Sequence, residues 1–216
     1  MNRLKNIVVG VDFSKRAKCA LTEAVRLARW NHSKLHLVHV VEEEAAAELA
    51  RHENRDLDDL REELVADAKE SLLEWSAAAD LPEHTSFRVV YGYPTEELIK
   101  QIKQVNADLF VAGVRGTVNE AKGAGNQAAR LVRGAPCKVM LVEEGGTRPF
   151  KVIVAAVDFS PTSKTVVEQA LQIAGLDGSQ VHFLHAYAAP WRKLHYRSES
   201  RYSGEFQKQY LAELTN

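Results

Sequence analysis

A glycine-rich segment between an apolar run and a helical pattern is the part of this sequence best suited to chemistry. Gly113-Val-Arg-Gly116 ends the apolar run, and Gly125-Asn126 comes just before the helical pattern. Glycine lets the backbone approach anionic oxygens closely, and the N–H groups of a helix N-terminus attract phosphate. Arg115 or Lys122 would add positive charge. The segment therefore predicts a phosphate-binding loop, and a flexible connection without a ligand is the alternative.

A second candidate, Asp12, ends the first apolar run of the chain. In a doubly wound sheet it would lie near the glycine segment, at the edge where ligands of such sheets bind. A carboxylate there accepts hydrogen bonds from ribose hydroxyls or from an adenine amino group. The alternative is that Asp12 caps the following helix, a role that Ser14 could fill instead.

Other reactive side chains form no recognisable site. His36 and His39 are three residues apart on a predicted strand, so they point to opposite faces and make a poor metal pair. His39 is expected to pack or hydrogen-bond near the ligand cleft, and no metal is predicted beyond magnesium carried by a nucleotide. No nucleophile elbow, Cys–His pair or P-loop lysine is found. An enzyme, at most a slow ATP hydrolase, therefore ranks behind binding functions.

The elements that must position these residues alternate along the chain. Short apolar runs rich in β-branched residues are typical of strands buried on both faces, and amphipathic patterns between them predict helices. The acidic, alanine-rich stretch from Glu42 is expected to pass into a long helix that ends before Pro82. This order predicts an α/β domain with a doubly wound, mainly parallel, five-stranded sheet. The predicted strands are Ile7–Val11, Leu35–Val41, Phe87–Tyr91, Asp108–Ala112 and Cys137–Val142.

An internal repeat sets the domain organisation. Residues 4–40 align without a gap with residues 150–186, and 13 of 37 positions are identical. We therefore predict one complete domain over residues 1–145 and an incomplete second copy over residues 150–216. The second copy has no third, fourth or fifth strand and no glycine segment. Because a two-stranded sheet with one helix is too small to stand alone, we expect it to dock on the first copy or on another chain.

Composition narrows the range of partners. The chain has 216 residues, 45% of them hydrophobic and 26% charged, with a formal net charge of −1. Such a balance gives no overall attraction to nucleic acid or to an anionic membrane. No apolar run approaches the length of a membrane span, and the N-terminus lacks the apolar core of a secretory signal. Cys19 and Cys137 have no metal-type spacing, so we expect reduced thiols in a cytoplasmic protein.

Four motifs stand out when taken jointly in order and spacing. They are Val8-Val-Gly-Val-Asp-Phe-Ser14, His39-Val-Val41, Ala107-Asp-Leu-Phe-Val-Ala-Gly113 and Ala135-Pro-Cys-Lys-Val-Met-Leu-Val142. Together they resemble the motifs of the universal stress protein family. The resemblance covers residues 3–143 fully and residues 150–214 as a truncated second copy, so it is strongest to the tandem-domain members. The resemblance implies strand order 3-2-1-4-5, an adenine nucleotide alpha hydrolase-like fold and a cytoplasmic role in stress.

The same resemblance implies an adenine-nucleotide site. Many members bind ATP through the pattern Gly-x2-Gly-x9-Gly-Ser/Thr, whose first two glycines match Gly113 and Gly116. Here eight residues precede Gly125, and no small hydroxyl residue follows it. Because one residue reaches about 3.5 Å, AMP or ADP should compete with ATP better than in a loop of full length. The predicted nucleotide-binding residues are Asp12, Ser14, Val40, Gly113, Arg115, Gly116, Gly125, Asn126 and Gln127.

These expectations combine into two competing functions. The first is a stress-response protein that binds ATP, ADP or AMP and acts by changing partners or conformation. The second is a scaffold that binds no nucleotide and whose glycine segment only packs. The resemblance also implies a homodimer that pairs fifth strands. Val139–Val142 lies on the expected edge of the sheet, and we expect a second fifth strand or the partial copy to cover it. A further protein partner is expected, and its identity stays open.

Overall fold

The computed structural model describes residues 4–114, 126–145 and 149–186, and residues 204, 205, 208, 209 and 212. The chain divides into two compact units, a first unit of residues 1–148 and a second unit of residues 149–216. The first unit contains the complete copy of the repeat, and the second contains the partial copy.

The first unit contains a five-stranded parallel sheet in the order β3-β2-β1-β4-β5. The fold class and strand order expected from the sequence are therefore confirmed. Its elements are β1 (Asn6–Val11), α1 (Lys15–Asn31), β2 (Lys34–Glu42), α2 (Glu43–Glu53), α3 (Leu57–Ser76), β3 (Thr85–Gly92), α4 (Pro94–Gln104), β4 (Leu109–Gly113), α5 (Asn126–Gly134) and β5 (Lys138–Val142).

Helices cover both faces of this sheet because its central strands are apolar on both sides. On one face, α1 and Leu72 of α3 pack against Ile7 and Val9. On the other face, α4 and α5 pack against Val8 and Val38. All four of these strand residues are almost completely buried. The period-two alternation of β1 thus divides its side chains between two separate apolar cores.

The stretch expected to pass from Glu42 into one long helix forms two helices. Asn54 takes a left-handed conformation and its N–H bonds to the carbonyl of Ala50, which ends α2. Asp56 then starts α3 by accepting hydrogen bonds from the N–H groups of Asp58 and Asp59. Asparagine tolerates the left-handed region and aspartate is a favoured N-cap, so these two residues separate the helices. No helix within the described ranges is both long and apolar enough to cross a membrane.

A side chain fastens the amino-terminal end of the central strands. Asp108, just before β4, accepts hydrogen bonds through Oδ2 from the backbone N–H groups of Lys5 and Asn6, at 2.7 and 3.0 Å. The N–H of Asp108 in turn donates to the carbonyl of Asn6 at 2.9 Å. These three bonds set the register of β1 against β4.

The second unit contains β6 (Val152–Ala156), α6 (Pro161–Asp177) and β7 (Gln180–Leu184), and the two strands pair in parallel. Ala155 of β6 is buried together with Ala170 and Ala174 of α6. The opposite face of the strands carries Val154 and Leu184, which are 60% and 55% exposed. One helix therefore covers one face of this small sheet, as the repeat predicts.

Candidate functional site

The candidate site lies at the carboxyl-terminal edge of the first sheet, between the ends of β1 and β4. The pairing of β1 with β2 continues as far as Val11 and His39, whereas the pairing of β1 with β4 ends at Val9 and Val111. We call the edge beyond the last β1–β4 pair the crevice. The crossover connections of this sheet change direction between β1 and β4, which is where open α/β sheets bind their ligands.

Asp12 lies in the turn that leaves β1 at this crevice. Its Oδ1 accepts a hydrogen bond from the N–H of Ser14 at 3.0 Å, and its side chain is exposed. Ser14, and not Asp12, caps α1, because the Ser14 hydroxyl accepts from the N–H of Ala17 at 3.0 Å. The carboxylate is thereby available to a ligand without loss of the helix cap. The Ser14 hydroxyl is thus occupied as the N-cap of α1.

Three aromatic rings lie together at the same turn. Phe13 has a left-handed backbone, with φ of 61°. The centroid of its ring lies 4.5 Å from that of His39 and 6.0 Å from that of Trp75. His39 Nδ1 lies 2.8 Å from the carbonyl oxygen of Val11, and since a carbonyl only accepts, the ring donates through Nδ1. His39 thus hydrogen-bonds close to the predicted cleft, as its place near the strand end suggested.

Val40, the residue expected beside an adenine ring, is largely buried in the sheet. It belongs to the apolar cluster that includes Leu98 and Phe110, and 8% of its surface is exposed. Its contact with a ligand would therefore be limited to this small exposed part. In the structure Val40 packs β2 against the helices on that face of the sheet.

Gly113, at the end of β4, is packed tightly against the first turn of α1. A Cβ atom on Gly113 would lie 2.8 Å from Cβ of Arg16, which is closer than real Cβ atoms approach, and 3.2 Å from the carbonyl carbon of Arg16. A glycine is thus required here by packing, independently of any ligand. Arg16 was not recognised in the sequence, although its guanidinium lies at the same edge and pairs with Glu143 at 3.2 Å.

The far side of the predicted phosphate loop is described only from the start of α5. Arg115, Gly116, Lys122 and Gly125 lie outside the described residues, as does the side chain of Asn126. The backbone of α5 begins at Asn126, and Gln127 is exposed in the first turn. The first N–H groups of a helix have no partner within the helix, so this terminus can receive an anion.

The two histidines of β2 have partners in the protein. Nδ1 of His36 lies 2.7 Å from the Ser86 hydroxyl, and its Nε2 lies 3.4 Å from Oδ1 of Asn6. Burial lowers the pKa of His36, and the positive charges of Arg88 and Lys34 lower it further. Within the described part of the chain, no three His, Cys, Asp or Glu side chains are grouped as metal ligands would be.

The turn recurs in the second unit with an additional partner. Oδ1 of Asp158 accepts from the N–H of Ser160 at 3.0 Å and also from the hydroxyl of Ser163 at 2.7 Å. Hydrogen bonds from Ser160 and Ser163 lower the pKa of this carboxyl to about 2. The turn borders a cleft of about 370 Å³ that Thr162 and Leu184 also line.

The sequence alone did not identify Phe13 as part of the site. A signal was nevertheless present, because the repeat conserves both Phe13 and His39 as Phe159 and His185. The ring centroids of Phe159 and His185 lie 4.7 Å apart, and His185 Nδ1 lies 2.8 Å from the carbonyl oxygen of Val157. Identity at both positions of an internal repeat can therefore point to a contact between them.

Comparison with known proteins gives one family for both units. The model of the universal stress protein family matches residues 3–143 and residues 149–215. A Staphylococcus aureus protein that carries this family name is 28% identical over 143 residues, which cover 64% of this chain and 83% of that protein. The solved universal stress protein of Lactobacillus plantarum is 28% identical with a TM-score of 0.52, and the match covers 66% of this chain and 99% of that chain.

A longer solved structure extends the likeness to the second unit. A structure from Pseudomonas aeruginosa described as a universal stress protein matches 99% of this chain and 71% of its own, with a TM-score of 0.59. At 19% identity this likeness concerns the fold.

Proposed function

The chain belongs to the universal stress protein family, and from this premise we propose that it binds an adenine nucleotide at the carboxyl-terminal edge of the first sheet. The nucleotide would act as the signal that changes the conformation or the partners of a cytoplasmic stress-response protein. In this proposal the adenosine lies between Asp12 and Val40, and the phosphates lie against Gly113 and the start of α5.

The observation that carries the proposal is the position of the Asp12 carboxylate. It is exposed at the crevice where β1 and β4 separate, and its own turn already holds it through the N–H of Ser14 at 3.0 Å. An ionised carboxylate accepts hydrogen bonds and donates none, so it suits the hydroxyls of a ribose or the amino group of adenine. Such charge-assisted bonds are about twice as strong as neutral ones.

Positive charge and a helix N-terminus would bind the phosphates of the nucleotide. The N-terminus of α5 presents backbone N–H groups and the positive end of the helix dipole. Arg115 and Lys122 add two cations in the segment between β4 and α5. The position of Gly125, one residue closer than in the family pattern, favours nucleotides with fewer phosphates, since the outer phosphates would meet displaced donors.

Titration calorimetry with AMP, ADP and ATP tests the site. Asp12→Asn keeps an oxygen that can accept from Ser14 N–H but removes the charge, so we expect at least about tenfold weaker binding, the size of one charge-assisted hydrogen bond. Asp158→Asn changes the corresponding residue of the second unit and is the matched control, which should bind like the native protein. AMP and ADP are expected to compete well with ATP.

Three results would contradict this proposal or its geometry. If none of the nucleotides binds at millimolar concentration, and mass spectrometry finds none released from the purified protein, the proposed function is wrong. If Asp12→Asn binds like the native protein, the function can stand and the position of the adenosine is wrong. Equal losses in Asp12→Asn and Asp158→Asn would mean that the charge acts at long range.

One observation favours the second candidate, a scaffold that binds no nucleotide. The contact of Gly113 with Arg16 explains the glycine without any phosphate. Arg16 also approaches Glu144, at 4.0 Å, so the cation beside the crevice already has acidic neighbours. In that case the residues at the crevice would pack the fold together and contact other proteins. The titration above separates the two candidates, because a scaffold leaves all three nucleotides unbound.

We also propose that the chain forms a homodimer through the free edge of β5. In the described part of the first unit β5 pairs only with β4, so its other edge offers unpaired backbone groups. Lys138–Val142 is short, and Val142 is buried within its own unit. Sedimentation of the native protein should show a dimer. Leu141→Pro should weaken it, because Lys138 and Val142 bond to β4, and in a parallel strand the N–H of Leu141 then faces the free edge. A monomer with an exposed fifth strand would contradict the proposal.

A further inference from the structure

We propose that His39 is a positioning residue for the nucleotide site, because it holds the backbone on both sides of Asp12 and so fixes the direction of that carboxylate. This inference rests on the proposed function, since it concerns how the same site is prepared for its ligand. Neither His39 nor Phe13 would need to touch the nucleotide.

The contacts of His39 reach both neighbours of Asp12. Its Nδ1 donates to the carbonyl oxygen of Val11 at 2.8 Å, and its ring packs on Phe13 with the centroids 4.5 Å apart. Asp12 lies between these two anchored residues and has no other described tether than its bond to Ser14 N–H. We call this pair of contacts the histidine clasp. A strand of the sheet, β2, therefore determines where the turn after β1 can lie.

The histidine clasp contacts a residue whose backbone conformation is unfavourable by itself. Phe13 has φ of 61°, in the left-handed region that is rarely adopted by bulky residues. Such a conformation persists when surrounding contacts favour it over the relaxed alternatives. His39 supplies two such contacts, the hydrogen bond to Val11 and the ring contact to Phe13. Without them the turn would gain freedom, and a ligand would have to order it on binding.

Comparison with the second unit shows that the clasp does not depend on packing in a core. There Phe159 again has φ of 61°, and its ring again packs on a histidine, although the side chain is 76% exposed. Burial in a core therefore does not produce the contact. In the first unit Phe13 also contacts Trp75, which adds packing to the same arrangement. Because the geometry recurs with and without a surrounding core, we assign the clasp to the turn itself.

The experiment removes one half of the clasp at a time. His39→Phe keeps an aromatic ring and loses the Nδ1 donor, whereas His39→Asn keeps an N–H donor at a similar distance from the backbone and loses the ring. We expect His39→Phe to bind AMP about fivefold more weakly, which corresponds to one neutral hydrogen bond, and His39→Asn to recover part of that loss. His185→Phe breaks the same clasp in the second unit and should leave the affinity unchanged.

Two further measurements distinguish positioning from a general loss of structure. In the Asp12→Ala background, His39→Phe should cause no additional loss of affinity, because a residue that acts through Asp12 has nothing left to position. Without nucleotide, hydrogen exchange of the Ser14 amide should become about fivefold faster in His39→Phe, while the Ile102 amide in α4 should keep its native rate.

The outcomes separate this inference from the proposed function. A native protein that binds no nucleotide overturns the proposed function and, with it, the role of His39 toward a ligand. A native protein that binds, with losses that add in the double variant or with an unchanged Ser14 exchange rate, overturns the positioning role alone. An equal loss in His185→Phe also overturns it, since that clasp lies in the other unit.

Discussion

Asp12 and Asp158 occupy the same turn in two units, and their carboxylates have different partners. Both accept a hydrogen bond from the N–H of the serine two residues on, at 3.0 Å in each case. The residue five positions after the aspartate differs. It is Ala17 in the first unit, whereas Ser163 in the second donates its hydroxyl to Asp158 at 2.7 Å. The turn is therefore a local property, and the availability of its carboxylate depends on one helix position.

The strands behind the two turns differ far more than the turns themselves. Val8 is completely buried, and its repeat counterpart Val154 is 60% exposed. Val38 is 2% exposed, and its counterpart Leu184 is 55% exposed. The first unit supplies α4 and α5 to cover these positions, and the described part of the second unit has no equivalent helices. Turn geometry thus survives without the long-range contacts that bury the strands.

The largest expected effect comes from truncating matched strand residues. Leu37→Ala removes a completely buried side chain and should lower the free energy of unfolding by about 2–5 kcal/mol. Phe183→Ala, at the corresponding position, should change it by less than about 1 kcal/mol, because Phe183 is 53% exposed. Urea unfolding followed by tryptophan fluorescence measures both. Equal effects would mean that Phe183 is buried in solution and would break the contrast between the units.

A smaller effect is expected at a glycine that the repeat replaces by alanine. Cβ of an alanine at position 10 would meet Cζ of Phe110 at 3.1 Å, so Gly10→Ala should destabilise the first unit by about 1–3 kcal/mol through overpacking. The counterpart Ala156 faces no equivalent of Phe110 in the described chain, and Ala156→Gly should be destabilising by about 0.5–1 kcal/mol for backbone reasons alone. Thermal unfolding compares the two. A neutral Gly10→Ala would show that the ring moves aside.

The smallest effect concerns the additional hydroxyl of the second unit. Hydrogen bonds from Ser160 and Ser163 hold the pKa of Asp158 at about 2, below its ordinary value, so they stabilise the ionised form. Their contribution to stability is complete above the unfolded pKa of about 3.9 and is lost as the pH falls through the folded value. Ser163→Ala should shift the titration of Asp158, followed by NMR of its carboxyl carbon, to higher pH. Ser179→Ala is the control, because Ser179 bonds instead to the carbonyl of Phe150.

The sequence predicted the fold well where a single rule applied. Buried β-branched runs alternating with amphipathic segments identified the five strands, and each observed strand lies within two residues of its predicted bounds. The boundary between α2 and α3 was missed, because Asn54 and Asp56 lie inside an otherwise helical composition. Two short polar residues decided that boundary through local hydrogen bonds, which a hydrophobic pattern does not register.

The candidate site could be predicted only in part. Asp12 was found because it ends a strand, and chain order brings strand ends to one edge. The contact between Arg16 and Gly113 was missed, because it joins the first turn of α1 to the end of β4 and depends on tertiary packing. The left-handed backbone of Phe13 was also missed, since phenylalanine has no local preference for it. Both were determined by neighbours distant in sequence.

The Asp108 side chain makes β1 harder to separate from β4 at one end of the sheet than at the other. Its bonds to the N–H groups of Lys5 and Asn6 tie the start of β1 to β4, whereas at the opposite end that pairing stops at Val9. A pulling force applied through residue 4 would therefore load the central strand in shear against two neighbours at once. Any segment joined ahead of this residue would be mechanically anchored to the middle of the sheet, at the end opposite the crevice.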